Sequence, residues 1–295
     1  MSDSILTTSI APSELIINSD GSVFHLHLRP EQLATKVIMM GDPERVTKVA
    51  AHFDSIECEV RSREFHTITG VYHGKRITAL SHGIGGDNID IVMTELDALA
   101  NIDFETRLPR AERRTLNIVR LGTSGGMQPY AELGSHLLSI YSIGYEGAIY
   151  FYKGNERVRE LGLEEAFHKI LGSVGERLHP YAVAADELLT AQIGVDDMFR
   201  GITISANGFY GAQGRRLRLA LEEPELNERI EAFRYMGQSI TNYEMEGAAL
   251  AAMARLLGHR AVTVCAIIAN RHSCLVNVNY QKSIDELVVK VLERI

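Results

Sequence analysis

From Ala261 to Ala269 the chain is apolar at every position but Thr263. A strand with one covered face needs apolar residues only at alternate positions. An unbroken run therefore places this strand inside a sheet covered on both faces, the pattern of mostly parallel sheets flanked by helices. Further β-rich apolar runs recur at Lys36 to Met40, Arg76 to Ser81, Leu116 to Leu121, Leu137 to Tyr141 and Gly201 to Ala206. Helical patterns alternate with them. Asn88 to Ala100 sets Ile89, Val92, Met93 and Leu96 at spacings of three and four, and Glu244 to Leu257 is rich in Ala, Met and Leu. Such alternation specifies an α/β fold, expected here as a single domain of three α/β/α layers about a mostly parallel central mixed sheet. Ser283 to Ile295 is expected to close the fold as an amphipathic helix entered through a capping box of Ser283 and Glu286. Residues 1–22 show no sustained period and are expected to form an extended leader or a partner-contacting arm. Residues 23–295 carry no repeat or linker that would split a domain.

At 45% hydrophobic and 23% charged residues, the composition suits a globular protein with a sizeable core. A formal net charge of -8 repels a phosphodiester backbone, so no nucleic-acid partner is expected, although a local basic pocket can still take a small anion. Cys58, Cys265 and Cys274 are too few and too irregularly spaced for a disulfide framework or a zinc ribbon. No metal is expected, and the reducing cytoplasm is the expected compartment. No basic segment precedes an apolar core at the N-terminus, and no stretch approaches the roughly 18 apolar residues of a membrane span, so neither secretion nor a membrane partner is expected.

Two glycine turns follow strand-like runs. Gly41-Asp42-Pro43-Glu44-Arg45-Val46 can bring backbone N–H groups and the Arg45 guanidinium near an anion. Arg120-Leu121-Gly122-Thr123-Ser124-Gly125-Gly126 offers a guanidinium, hydroxyls and flexible backbone within seven residues. Ligands of α/β sheets bind at the carboxyl ends of strands, so Arg45 and Arg120 are candidates to flank one anion. The first turn also reads as a strand-to-helix connection with a surface arginine, whereas the spacing of the second is more specific. Neither is a dinucleotide or P-loop signature, so a nucleoside triphosphate is not the expected ligand.

Taken in order, these segments resemble the nucleoside phosphorylase superfamily, and within it the members that cleave uridine. The resemblance is carried by Phe24-His25-Leu26, the Gly41 to Val46 turn, Arg63-Glu64-Phe65, Gly83-Ile84-Gly85-Gly86, the Arg120 to Gly125 turn, Phe209-Tyr210-Gly211-Ala212-Gln213-Gly214-Arg215, Tyr243-Glu244-Met245-Glu246 and Asn270-Arg271. It implies that Gly41, Arg45, Arg120 and Thr123 hold inorganic phosphate, with Arg63 reaching the anion from a neighbouring subunit. His25 would likewise cross an interface towards the ribose 5'-hydroxyl. Met245 would pack on the sugar and Glu246 accept from its hydroxyls. Phe209 would stack on the base, while Gln213 and Arg215 read its N–H and carbonyl edge. Arg215, Gln213 and Arg120 would thus carry the catalysis. Purine-cleaving relatives place an Asp soon after the late buried strand, where this chain reads Ile267-Ile268-Ala269-Asn270-Arg271-His272.

The implied activity is reversible phosphorolysis of uridine to uracil and ribose 1-phosphate, with inversion at the anomeric carbon. A phosphorylase of broader purine and pyrimidine preference, a nucleoside hydrolase and a non-catalytic nucleoside-binding module stay open as alternatives. Phosphate is a co-substrate, and no cofactor is expected. Some bacterial relatives hold potassium between subunits; Glu64 and Ile84 match that site, but Asn88 replaces its hydroxyl, which weighs against potassium here. The implied assembly is a homodimer with shared active sites, or a hexamer built from three dimers.

Overall fold

A computed structural model of the chain describes residues 8–295. The part of the expected arm within residues 1–7 lies outside the described residues. The fold is mixed α/β and forms two compact units: one takes residues up to Gly83 with Ile91–Ile118, the other Ile84–Asp90 with Val119–Ile295.

In the first unit β1 (Lys36–Met40) runs parallel to β4 (Lys75–Ser81). β4 then pairs antiparallel with β3 (Phe65–Tyr72), and β3 with the edge strand β2 (Ser55–Ser62). Helix α1 (Pro43–Ala50) starts directly after β1. The Asp42 carboxylate accepts the Glu44 N–H at 2.9 Å, and Pro43 occupies the first turn, where a missing N–H does no harm. Val46, Val49 and Ala50 face inward, and the helix packs on β3 and β4. Helix α2 (Gly86–Asn101) enters this unit at Ile91 and leads into a hairpin of β5 (Ile102–Asp103) and β6 (Leu108–Pro109). The N–H of Ile10 donates to the Arg107 carbonyl at 3.0 Å, tying the start of the described chain to that hairpin.

The second unit contains β7 (Asn117–Gly126) from Val119 onward, β8 (His136–Gly144), α3 (Leu161–His168), β9 (Tyr181–Ala184), α4 (Glu187–Ile193) and β10 (Phe199–Ser205). There follow α5 (Leu226–Ala232), β11 (Arg234–Tyr235), β12 (Gln238–Glu244), α6 (Gly247–Leu257), β13 (Arg260–Asn270), β14 (Leu275–Val276) and α7 (Gln281–Arg294). Its strand order is β11-β12-β10-β8-β13-β7, with β10 parallel to β8 and β12. The end of β12 also pairs antiparallel with the end of β7, through Asn242 with Gly126 and Tyr243 with Gly125. Five strands therefore close on themselves, and the ends of β7 and β12 lie side by side. Helix α6 packs on β13, β8 and β10, while α4 and α7 also meet β13. Every residue from Ala261 to Ile267 is buried, as the unbroken apolar run requires.

Two local expectations are corrected. Glu244 ends a strand, and the helix begins only at Gly247, because Tyr243 and Glu244 pair into the sheet. The Ser283–Glu286 capping box is absent: α7 starts at Gln281 without a side-chain cap, and the buried Ser283 hydroxyl donates to the Gly134 carbonyl at 2.7 Å.

Candidate active site

The paired ends of β7 and β12 deliver opposite charges to one place. Arg120 on β7, Glu244 at the end of β12 and Glu246 just beyond are all buried. Arg120 Nη1 donates to Glu244 Oε2 at 2.9 Å, and Nη2 donates to Glu246 Oε2. Burial opposes the charge on Arg120, but the carboxylates of Glu246 and Glu244 outweigh it and hold the guanidinium above its ordinary value. Glu244 also accepts the Ser205 hydroxyl and the N–H groups of Glu246 at 2.9 Å and Gly247 at 3.0 Å. It thereby closes the first turn of α6, where the helix dipole favours an anion. Glu246 accepts in addition from the Gly85 N–H at 2.7 Å. A Cβ at Gly122 would lie 2.7 Å from Arg120 Nη1 and 2.9 Å from Cys265 Sγ, so a side chain here would displace the guanidinium from its present place. Burial pushes the Cys265 thiol up to about 12. Thr123 on β7 and Met245 between the two glutamates are half-buried.

Gly125, three residues beyond Gly122 and so about 10 Å further along β7, marks a second cluster. A Cβ there would lie 3.8 Å from Arg271 Nε and 3.9 Å from Arg215 Nη2. The backbone before Arg215 makes one turn over Gly211–Gln213 and exits through Gly214 at φ +69°, where a side chain would strike Asn227 at 2.3 Å. Gln213 is buried, and its Oε1 accepts from Arg215 Nη1 at 2.5 Å. Arg215 also donates to the Phe209 carbonyl, and its Cζ lies 3.7 Å from the Phe209 ring centroid. Phe209 is itself 49% exposed, leaving ring surface for a ligand. Arg271 Nη2 donates to the Gln213 carbonyl at 2.9 Å, and Asn227 Nδ2 to the same oxygen at 3.3 Å. Burial, and then the like charge of Arg271, bring Arg215 down to about 10. Asn270, in the stretch that lacks a carboxylate, spends its amide on the carbonyls of Gln128 at 3.0 Å and Ala131 at 2.8 Å.

The remaining candidates belong to the first unit. Gly41 approaches so closely that a Cβ would lie 3.1 Å from the Gly83 carbonyl oxygen. Arg45, 13% exposed in its side chain, has Nε 3.8 Å from Asp42 Oδ2. Arg63 holds φ at 54°, a left-handed conformation that a non-glycine residue rarely adopts, and is exposed with Cζ 5.8 Å from the Phe24 ring centroid. His25 Nδ1 lies 2.6 Å from Glu95 Oε1, while Glu95 Oε2 accepts the Leu26 N–H at 2.8 Å. A carboxylate only accepts, so Nδ1 carries the proton here and Nε2 is the nitrogen left for another partner.

The structure thus gathers Arg120 with Glu246, and Phe209 with Gln213 and Arg215. It places Gly41 and Arg45 in one turn, and both His25 and Arg63 against the Phe24 ring. Sequence reasoning missed Glu244 as the partner of Arg120, Glu95 as the partner of His25, and Asn227 as the support of the Gln213 turn. Glu244 carries a visible signal, an acid two residues before another acid at the head of an Ala-rich helix. Among the described residues, no group of three or more His, Cys, Asp or Glu side chains is arranged to hold a metal ion, and no helix is long and apolar enough to cross a membrane.

The family model for the phosphorylase superfamily matches residues 35–294, and the chain belongs to that superfamily. Among its relatives, a uridine phosphorylase of Thermococcus kodakarensis is 30% identical over 260 residues, covering 85% of this chain and 79% of that protein. A uridine phosphorylase of Escherichia coli is 29% identical over 286 residues, covering 93% and 96%. The solved structure of a Trypanosoma brucei nucleoside phosphorylase, described as showing uridine phosphorylase activity, is similar with a TM-score of 0.83 at 25% identity, covering 95% of this chain and 99% of that one.

Proposed function

We propose that this chain catalyses the reversible phosphorolysis of uridine to uracil and ribose 1-phosphate. The observation that carries this reading is the placement of two unlike clusters along β7. The Arg120 guanidinium, held between Glu244 and Glu246, lies against Gly122, and Arg215 of the Gln213–Arg215–Phe209 group lies against Gly125, three residues beyond Gly122. That separation, about 10 Å on an extended strand, suits inorganic phosphate and the sugar of a nucleoside at one end and the nucleoside's planar base at the other.

In the proposed site Arg120 and Thr123 take phosphate together with Gly41 and Arg45, and Met245 and Glu246 take the ribose. When the ribose hydroxyls donate to Glu246, Arg120 Nη2 exchanges a carboxylate partner for a phosphate oxygen, so the guanidinium stays charged and paired throughout. Gln213 and Arg215 meet the uracil edge while Phe209 stacks on its face. As the glycosidic bond lengthens, the sugar gains oxocarbenium character and phosphate attacks the anomeric carbon from the opposite face, inverting it. The electron pair of the broken bond leaves with uracil, where Arg215 and Gln213 stabilise the anion until solvent protonates its ring nitrogen, the proton of the attacking phosphate passing to solvent in exchange. Holding both reactants in line supplies much of the remaining rate. No enzyme nucleophile, general acid, metal or cofactor enters the scheme.

His25 and Arg63 are assigned to the site of a neighbouring subunit, so a homodimer is the minimum active assembly, alone or as three dimers in a hexamer. A fully active monomer in light scattering and assay would contradict that assignment. The cytoplasm, where phosphate and nucleosides meet, is the proposed compartment. The deciding test is loss of uridine with inorganic phosphate, compared with inosine and with a phosphate-free control. Phosphate-dependent release of uracil is expected, and phosphate-independent release or preference for inosine would contradict the reading.

A further inference from the structure

His66, the second residue of β3, is 2% exposed, and its two ring nitrogens reach different elements. Nδ1 lies 3.0 Å from the carbonyl oxygen of Pro43, the first residue of α1. Nε2 lies 2.9 Å from Glu59 Oε1 on β2. A carbonyl only accepts, so the contact to Pro43 is made by Nδ1 donating its proton. Glu59 is in turn paired with Arg61 at 3.1 Å, and Arg61 stands opposite His66 in the β2–β3 register. The His66 N–H donates to Ser81 Oγ at 2.7 Å, and Ser81 Oγ donates to the Glu64 carbonyl at 2.7 Å. The end of β4, the start of β3 and the start of α1 are therefore fastened at one buried point. Pro43 sits inside the Gly41–Arg45 turn, where the Arg45 N–H donates to the Asp42 carbonyl at 3.1 Å, so movement at Pro43 carries Arg45 with it.

We propose that His66 is a positioning residue for phosphate: by gripping the Pro43 carbonyl it fixes the Gly41–Arg45 turn in its anion-binding conformation. The inference rests on assigning that turn to phosphate. Two near-isosteric substitutions separate the two contacts. The amide nitrogen of Asn takes the place of Nδ1, and that of Gln the place of Nε2, so H66N keeps the Pro43 contact and H66Q keeps only the Glu59 contact.

H66Q is expected to raise the phosphate KM about fivefold, the worth of one ordinary hydrogen bond, with uridine KM unchanged, while H66N stays near the unaltered protein. Equal phosphate KM in all three proteins, equal weakening in both variants, or a matching rise in uridine KM overturns the proposal. Calorimetric titration of the same proteins with inorganic phosphate gives a readout independent of turnover. If uridine is not cleaved but phosphate binds with the expected ranking, the uridine reading fails and this inference stands. If the unaltered protein binds no phosphate, the inference falls with the phosphate assignment. Should H66Q not fold, histidine 15N spectra of the unaltered protein decide. A protonated Nδ1 whose signal shifts on phosphate addition is expected, and a bare Nδ1 overturns the bridge.

Discussion

Arg120 and Arg215 meet β7 only a few residues apart, yet their surroundings differ in kind. Arg120 is buried between two carboxylates and held above its ordinary value. Arg215 is half-buried against an amide oxygen, a peptide carbonyl, an aromatic ring and the guanidinium of Arg271, and is brought down to about 10. The first charge is compensated before any ligand arrives. The second is placed where a new negative charge would relieve it. In the proposed reaction, an interaction made only as negative charge develops on the leaving base would lower the barrier without tightening the ground state, which would suit Arg215 to rate and Arg120 to binding and order.

The contrast is open to attack at several points. Glu244→Ala removes one carboxylate and leaves a buried guanidinium undercompensated, along with the exposed first turn of α6. A loss of about 3–5 kcal/mol in chemical denaturation is expected, whereas an exposed, ordinary ion pair would lose far less. Arg215→Ala is expected to leave stability nearly intact and lower kcat roughly 10²–10³-fold, with little change in phosphate KM. An unchanged kcat would remove Arg215 from the chemistry. Asn227→Ala frees the Gln213 carbonyl and the Tyr243 hydroxyl from a shared partner. Uridine kcat/KM should fall about fivefold while phosphate KM stays put. The smallest effect concerns thiols. Cys265 lies 4.0 Å from Arg120 Nη1 and is buried, whereas Cys274, in contact with the Arg271 carbonyl, is exposed. Disulfide reagents should modify Cys274 in the folded protein and reach Cys265 only on unfolding, its high thiol value leaving little thiolate.

The sequence patterns were clearest where burial is two-sided. The run from Ala261 to Ala269 falls inside β13, and the apolar spacing of Ile284, Leu287, Val288, Val291 and Leu292 matches the buried face of α7. Other strands hide for definite reasons. β2 is an edge strand whose Ile56 is 56% exposed, so its alternation with Glu57, Glu59 and Arg61 carries little hydrophobic signal. β12 is buried but polar, because Thr203 joins Ser139 at 2.5 Å to Asn242 at 2.7 Å, and Thr241 donates to the Ile202 carbonyl at 3.1 Å. Hydroxyls satisfied across strands look like a loop in one dimension.

At the site, arginines, glutamine and glutamate at strand ends announce themselves by type. Their supports do not. Glu95 reaches His25 across 70 positions, Asn227 reaches Gln213 across 14, and His66 reaches Pro43 across 23, so only the folded chain pairs them.

The central claim is that one strand presents an anion-binding end and a uracil-reading end to the same nucleoside. A crystal structure with uridine and sulfate tests it most directly. Sulfate within hydrogen-bonding distance of Arg120 and Thr123, with the uracil edge on Gln213 and Arg215 and the ribose on Glu246, is the expected result. A base bound away from Gln213, or Arg215 still folded onto Phe209 with the nucleoside in place, would contradict it.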